Sequence, residues 1–469
     1  MKFGGVQLSA LAFILAFGAA APVRAADDVL AKLTALPGIA DGKETTTEDD
    51  TKAGLRRFVL HVEQASDHFD ASKGTFLQKL VLFHRDFTEP MVLQTSGYSI
   101  YSEKLSRTAK VFGTNQLQVE HRFFADSHPD PMDWTLLTVR QSAEDFHRIV
   151  DIFKALYAGH WVGTGASKGG MTSVFHRRFY PGDLDGTVAD VAPMSFTRED
   201  PRYVTFVDQA GGAKYEECRG QLERLQEALL QRRDELEPLV DGTYTVLGGK
   251  DTSYEHSVIE MPFAFWQYGN PEDADLGCAK APGPWAEVAD LKKFLVGIND
   301  PSGYSDTDMA GFGPYYYQAA FELGGPASKL THLADLLRHP YNLEMYLPQG
   351  VTVDYTDVTQ RDVGEWVASE ATHMMFTYGE FDPWSAGAYT RINAAEGSDN
   401  HWFQVPAGNH GSGFTLLPDG PQAEAVAALT RWLGKGPVPA ARDADGLRDL
   451  AANSLEDAEL RANRKHHRL

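Results

Sequence analysis

Cysteine is almost missing from this 469-residue chain, which holds only Cys218 and Cys278. That excludes a cysteine-rich metal or disulfide scaffold. Past residue 25 no uncharged apolar stretch reaches the ~20 residues a bilayer crossing needs, so no membrane span is expected. Basic residues are outnumbered, 43 Lys and Arg against 65 Asp and Glu, for a formal charge of -22. A field of that sign repels phosphate backbones and anionic lipid, which argues against nucleic acid and membrane surfaces as partners. No phosphate loop of the Walker type occurs; "GTGASKGG" lacks both its spacing and its Lys-Ser/Thr ending. Metal-ligand sets are equally poor. His256 and Glu260 stand at helical spacing in "HSVIE" without a third ligand and read as a solvated helix face, and the adjacent histidines near the C-terminus read as part of a solvated tail. Neither a metal nor a cofactor is expected.

What is present begins with a compartment signal. Lys2 precedes "LSALAFILAFGAAA" and then "VRA", with Val23 and Ala25 placed for cleavage, so residues 1–25 read as a signal peptide and the mature chain as exported. In an oxidising compartment the two cysteines are most simply one disulfide, Cys218–Cys278.

Four runs, "RRFVLHVEQ", "TFLQKLVLFHRDF", "PMVLQTSGYSI" and "TNQLQVEHRFF", have the length and composition of strands. An amphipathic helix follows, with Phe146, Ile149, Val150, Phe153 and Leu156 at helical spacing. Then come "HWVGTG" as a strand, "MTSVFHRRFYP" as a helix and "DGTVADVAP" as a strand, the alternation that builds a largely parallel α/β sheet. Residues 26–195 therefore read as the first part of an α/β core. Residues 196–365 are dominated by long charged helices and aromatic stretches and read as a helical cap insertion. The core resumes over 366–436, and 437–469 reads as a polar C-terminal tail of helix or disorder.

"GTGASKGGM" places Ser167 between a strand and a helix, with Gly165 and Gly169 in the small-residue positions of G-x-S-x-G. That pattern lifts a serine hydroxyl above the sheet edge on a turn with no room for neighbouring side chains. A serine hydroxyl is nearly inert near neutral pH and needs a base and a carboxylate that orients it. The expected chain order is serine, acid, histidine, each on a loop at the carboxyl end of a strand. "THMMFTYG" runs into "EFDPWSAG", offering Glu380 and Asp382, and "NHWFQVPAG" runs into "NHGSGF", offering His410. Asp382 is favoured over Glu380 because its Pro- and Gly-containing loop can turn the carboxylate back. His373 and His401 begin the same strands and so lie at the wrong sheet edge. The oxyanion hole draws on the Lys168 N–H and on Gly97 or Tyr98 in "TSGYS".

The blocks "VEHRFF", "DWTLLTVRQSAEDFHRIV", "GTGASKGGMTSVFHRRFYPGDLDGTVADVAP", "EMPFAFWQYG", "YGEFDPWSAGA" and "GNHGS" together resemble the secreted tripeptidyl and prolyl aminopeptidases, serine peptidases distantly related to the prolyl carboxypeptidase and dipeptidyl peptidase group. The resemblance runs from about residue 55 to about 435. It implies an α/β-hydrolase core with a helical cap, a Ser167-Asp382-His410 triad, and release of short peptides from free N-termini of peptides or proteins, often after proline. Such an exopeptidase needs a carboxylate for the substrate ammonium. "SFTREDPRY" offers Glu199, then Asp200, although an acidic turn before Pro201 reads equally well as solvated. Phe263, Phe265, Trp266, Tyr268 and Trp384 are candidates for a proline pocket, several of them expected to be cap core instead. A lipase or carboxylic esterase on the same scaffold, and a catalytically inactive binding protein, are the alternatives.

Overall fold

The computed structural model describes Met1, residues 28–452 and residues 454–458; the signal-peptide reading of residues 1–25 falls outside them apart from Met1. Its centre is a nine-stranded sheet formed by β1 (Ile39–Glu44), β2 (Arg56–Ala65), β3 (Thr75–His84), β4 (Met91–Thr95), β5 (Asn115–Val119), β6 (Trp161–Ala166), β7 (Gly186–Asp190), β10 (Met374–Gly379) and β11 (His401–Val405). Two short strands in the cap, β8 (Glu199–Asp200) and β9 (Gly325–Pro326), pair in parallel with each other. The sheet order is β1-β2-β3-β5-β4-β6-β7-β10-β11. The first four strands in that order pair antiparallel, and β5 through β11 run parallel.

The parallel strands β4, β5, β7 and β10 are buried at every residue. This is the pattern of strands covered on both faces. On one face Phe146, Ile149, Val150 and Phe153 of the helix Val139–Lys154 pack against Leu80, Leu93 and Trp161. On the other, Ala425, Leu429 and Trp432 of the helix Asp419–Leu433 pack against Val92, Val162, Val188 and Met375. Successive residues along each strand thus serve opposite layers. The architecture is that of an α/β hydrolase.

The edge strand β1 has no counterpart in the sequence reading. "IADGKE" lacks an apolar alternation, and the strand exists through its backbone pairing with β2. At the far side of the insertion, the helix Val358–Ser369 crosses the boundary placed at residue 365. Its Val363, Trp366 and Val367 pack with Met171, Val174 and Phe376, so the core resumes by Val358 rather than at 366. Between β7 and that helix the chain is mostly helical, with its own apolar cluster including Leu222, Leu229, Val258, Phe265, Trp266 and Phe294. Cys218 and Cys278 are joined by a disulfide that ties the helix Glu216–Gln231 to the loop beyond the helix Lys250–Tyr268.

The segment read as a polar tail is docked on the core up to Ala458. Leu447, Ala451 and Leu455, four residues apart in turn, are all buried, and Leu455 N–H donates to the Leu105 carbonyl at 2.9 Å. Polar bonds add to this apolar contact: the Glu456 carboxylate accepts the Arg107 N–H and the Ala452 carbonyl accepts from the Lys110 ammonium.

Candidate active site

Ser167 joins β6 to the helix Lys168–Phe179 with φ 55° and ψ -128°. A non-glycine residue at such a φ is strained and persists only where its surroundings fix it. Here the Ser167 N–H donates to the Asp190 carbonyl at 2.9 Å and the Ser167 carbonyl accepts from Met171 N–H at 2.9 Å. The turn is so tight that a Cβ on Gly165 would lie 2.3 Å from the Gly169 carbonyl oxygen, and one on Gly169 would lie 2.4 Å from the Thr95 carbonyl oxygen. The glycines that flank the serine are sterically required.

His410 follows β11 and Asp382 follows β10, so both stand with Ser167 at the carboxyl edge of the sheet. His410 Nδ1 is 2.8 Å from Asp382 Oδ2. A carboxylate only accepts, so Nδ1 carries the proton and Nε2 is left as a lone pair. Asp382 is fully buried, and its Oδ1 accepts from the Trp384 N–H at 3.1 Å. The His410 loop is held from behind by Arg107, whose guanidinium donates to the Gly411 carbonyl at 2.6 Å and the Ser412 carbonyl at 3.2 Å. Ser167 and His410 line one cavity, of about 520 Å³, together with Tyr98, Tyr268, Arg107 and Glu456. Glu380 turns away: it is exposed, and its Oε2 accepts from the Ala407 N–H at 2.7 Å. His401 is engaged by Asp399 and Glu424 and His373 precedes β10, both at the opposite edge.

Ser167 also lines a second cavity, of about 510 Å³, with Lys168, Tyr98, Gln267, Tyr315 and Trp384. Lys168 is the first residue of its helix, so its N–H has no partner within the helix. The Lys168 side chain is buried, donating to the Gly97 carbonyl at 2.6 Å beneath the rings of Tyr98 and Phe124. Desolvation pulls its ammonium down to about 7, partly offset by the carboxylate of Glu322. Gly97 has φ +73°, and a Cβ there would lie 2.5 Å from Gly169 N, so the loop after β4 is pressed against the start of the helix. With the Gly97 carbonyl turned toward the Lys168 ammonium, the trans peptide points the Tyr98 N–H the opposite way.

The substrate-binding candidates separate. Trp384 and Tyr268 line cavities containing Ser167. Phe263 packs against Tyr203 and Trp384 behind them, Phe265 is buried in the cap core, and Trp266 is 1% exposed against Tyr215 and Phe381 and lines a cap cavity that does not include Ser167. Trp266 is therefore cap core and not a wall of the Ser167 site. Asp200 is likewise withdrawn: its carboxylate accepts from the Phe196 and Arg202 N–H groups and from the Arg202 guanidinium. Those bonds hold its pKa below the ordinary carboxylate value despite burial. Glu199 is exposed, accepts from the Leu343 N–H at 3.0 Å, and lines a third cavity that shares Tyr315 with the second. Gln267 and Tyr315 were missed because nothing in "FWQYG" or "GPYYYQ" distinguishes a cavity wall from cap core. His256 and Glu260, read as a solvated helix face, are buried and bonded to tyrosines. Among the described residues one group, His147, Asp151 and Asp183, brings three potential metal ligands together, but Asp183 is already bonded to His147 and His176, and the group lines neither cavity of Ser167.

A parallel sheet carrying a strained serine turn beside a histidine bonded to a buried carboxylate defines a hydrolase of the serine class. The chain belongs to the PS-10 peptidase S37 family, whose model matches residues 22–465. It is 35% identical over 435 residues, 90% of this chain and 89% of the relative, to the prolyl tri/tetrapeptidyl aminopeptidase of Streptomyces mobaraensis. The solved structure of proline iminopeptidase from Mycobacterium smegmatis aligns with 84% of this chain and 98% of its own, at 12% identity and a TM-score of 0.36. Brefeldin A esterase aligns with 95% of this chain and 90% of its own, at 14% identity and a TM-score of 0.32. The protein is a serine exopeptidase.

Proposed function

We propose that this exopeptidase is exported and releases short peptides, three residues or so, from free N-termini with proline on the acyl side of the cut bond. Ser167 is the nucleophile, His410 the general base and then acid, and Asp382 the group that fixes the imidazole. The observation that carries this reading is the His410 Nδ1 to Asp382 Oδ2 bond of 2.8 Å beside a strained Ser167 in one cavity. Ser167 Oγ adds to the scissile carbonyl carbon as its proton passes to His410 Nε2. The Lys168 and Tyr98 N–H groups receive the oxyanion, the Lys168 ammonium acting on the Gly97 carbonyl as a latch that aims the second donor. Collapse breaks the C–N bond, and the leaving amine takes the proton from His410. Water, deprotonated by the same imidazole, then releases the peptide acid and restores Ser167.

On the acyl side, the flat faces of Trp384 and Tyr268 suit a pyrrolidine ring. Trp384 Nε1 and Gln267 Oε1 are buried without a partner in the cavity wall, a donor and an acceptor suited to a peptide backbone. Glu199 and Glu260, which both line the third cavity, are the carboxylates on offer to the substrate ammonium.

Hydrolysis of a free-amine tripeptide anilide ending in proline, beside its N-acetylated twin and a short-chain ester, tests the reading. The free-amine peptide should be cleaved far faster than its twin, and Ser167→Ala should abolish both this and labelling by an organophosphonate. Equal turnover of the two peptides would refute the N-terminal exopeptidase reading, and turnover of the ester alone would replace it with an esterase.

A further inference from the structure

Glu260 lies in the middle of the helix Lys250–Tyr268 and is 3% exposed. Its Oε1 accepts from the hydroxyls of Tyr346 at 2.7 Å and Tyr341 at 3.0 Å, and its Oε2 from that of Tyr304 at 2.5 Å. No ion pair to Glu260 occurs among the described residues; its hydrogen bonds are to these tyrosine hydroxyls, and that of Tyr346 also meets His256 Nδ1 at 2.8 Å. An ionised carboxylate offers about four acceptor sites, and one remains on Oε2. A buried carboxylate without a cation is costly. This one is not sealed in: it lines a cavity of about 410 Å³ with Glu199, Tyr315, Tyr316, Tyr341 and Tyr346.

That cavity adjoins one lined by the nucleophile. Tyr315 lines both it and the second Ser167 cavity, and the consecutive residues Gly324 and Gly325 line one each. Tyr268, eight residues after Glu260 on the same helix, stands beside Ser167. Eight residues of helix rise about 12 Å, and an extended chain of three residues spans at most about 10–11 Å and one of four about 13–14 Å. That rise along the helix is comparable to the length of peptide that the proposed function releases.

We propose that Glu260, within its cage of tyrosines, is the anchor for the α-ammonium of the substrate, seated opposite Glu199 at the far end of the acyl-side channel. The inference rests on the exopeptidase reading and adds to it the group that measures peptide length. Glu260 supplies charge in a desolvated setting, where a charge-assisted hydrogen bond is strong. Glu199 is solvent-exposed and shares its Oε1 with the Leu343 N–H, so its hold is the weaker.

The test uses the mature enzyme and measures kcat/KM for the free-amine prolyl tripeptide anilide relative to its N-acetyl twin. Glu260→Gln should lower that ratio by roughly 10- to 100-fold, the worth of a hydrogen bond to a charged group, chiefly through KM. Glu199→Gln should lower it less. Tyr346→Phe, which removes one hydroxyl and keeps ring and carboxylate, should lower it to an intermediate extent, and it keeps the inference testable if Glu260→Gln does not fold. A folded Glu260→Gln enzyme with the wild-type ratio, or a ratio that Glu199→Gln alone abolishes, would overturn the assignment while leaving the exopeptidase intact. A wild-type ratio near one, or turnover surviving Ser167→Ala, would remove the exopeptidase reading itself and this inference with it.

Discussion

Replacing Asp382 by Asn isolates the role of one charge, because the surroundings dictate how the amide must sit. Asp382 Oδ1 accepts the Trp384 N–H at 3.1 Å and Oδ2 faces His410 Nδ1 at 2.8 Å, all of it buried. An Asn that keeps the first bond presents its NH₂ to Nδ1. Two donors cannot face each other, so the imidazole must shed its Nδ1 proton and carry it on Nε2, which can then no longer accept the Ser167 proton. The flipped amide would restore the tautomer but set its NH₂ against the Trp384 N–H, leaving that buried donor unsatisfied at about 1–3 kcal/mol. Both orientations therefore lose. The expected fall in kcat is about 10⁴, or about 5.5 kcal/mol of transition-state stabilisation at about 1.36 kcal/mol per decade. KM should change little and the melting transition should stay cooperative. Steady-state kinetics on the prolyl anilide measures this directly, with Glu380→Gln as the control that separates the two acids of the same loop. Glu380 is exposed and bonds only to the Ala407 N–H, so its amide should work within about threefold of wild type. If Asp382→Asn kept more than a tenth of the activity while Glu380→Gln lost most of it, the assignment of the acid would be wrong.

Gly97→Ala should cost 10²–10³ in kcat with KM little altered, roughly the loss of one oxyanion donor, because φ +73° and a Cβ 2.5 Å from Gly169 N displace the loop carrying the Tyr98 N–H. Wild-type kinetics in this variant would exclude that loop from the oxyanion site. The disulfide closes a loop of 60 residues, so reducing it should lower stability by about 4 kcal/mol, read as a lower denaturant midpoint for the cap transition; an unchanged midpoint would show that the cap does not depend on it. Burial raises the Glu260 carboxyl from 4.5 to about 7 in the ligand-free fold. A group raised on folding contributes stability that is fully present below its unfolded value and is lost as pH rises through the folded one. The denaturant midpoint of wild type relative to Glu260→Gln should therefore fall as pH rises from 4.5 through about 7, and a flat or rising difference would place the carboxyl in water. Truncation after Ala452 removes Glu456, whose oxygens accept the Arg107 N–H at 2.9 and 3.1 Å beside the His410 loop. It should reduce kcat/KM about tenfold, the scale of one hydrogen bond to a charged group, and full activity would make the docked tail a bystander.

The parts of this molecule that could be read from the chain are those whose physical demands are local. The turn at Ser167 needs small residues two positions away on either side, since a Cβ at either would meet backbone at 2.3–2.4 Å, and that demand is written in five consecutive residues. The histidine and its acid follow from the direction of parallel strands, which puts Asp382 and His410 at one edge and His373 and His401 at the other. The docked end of the chain was not legible: Leu447, Ala451 and Leu455 are few apolar positions among charges, and the segment reads as a polar tail because the surface that buries them lies elsewhere in the chain. Glu260 could not be read at all. Its own helix gives it a histidine one turn earlier and suggests a metal ligand or a wet face; its real environment comes from Tyr304, Tyr341 and Tyr346, more than forty residues away. The same holds for Lys168, named for its backbone N–H while its ammonium is buried by a loop seventy-one residues earlier. A catalytic group is announced by the strain or order it imposes on its neighbours along the chain. A recognition group in a cap is made by residues that reach it only in space, which is why Glu260, the ammonium anchor proposed above, leaves no trace along the chain.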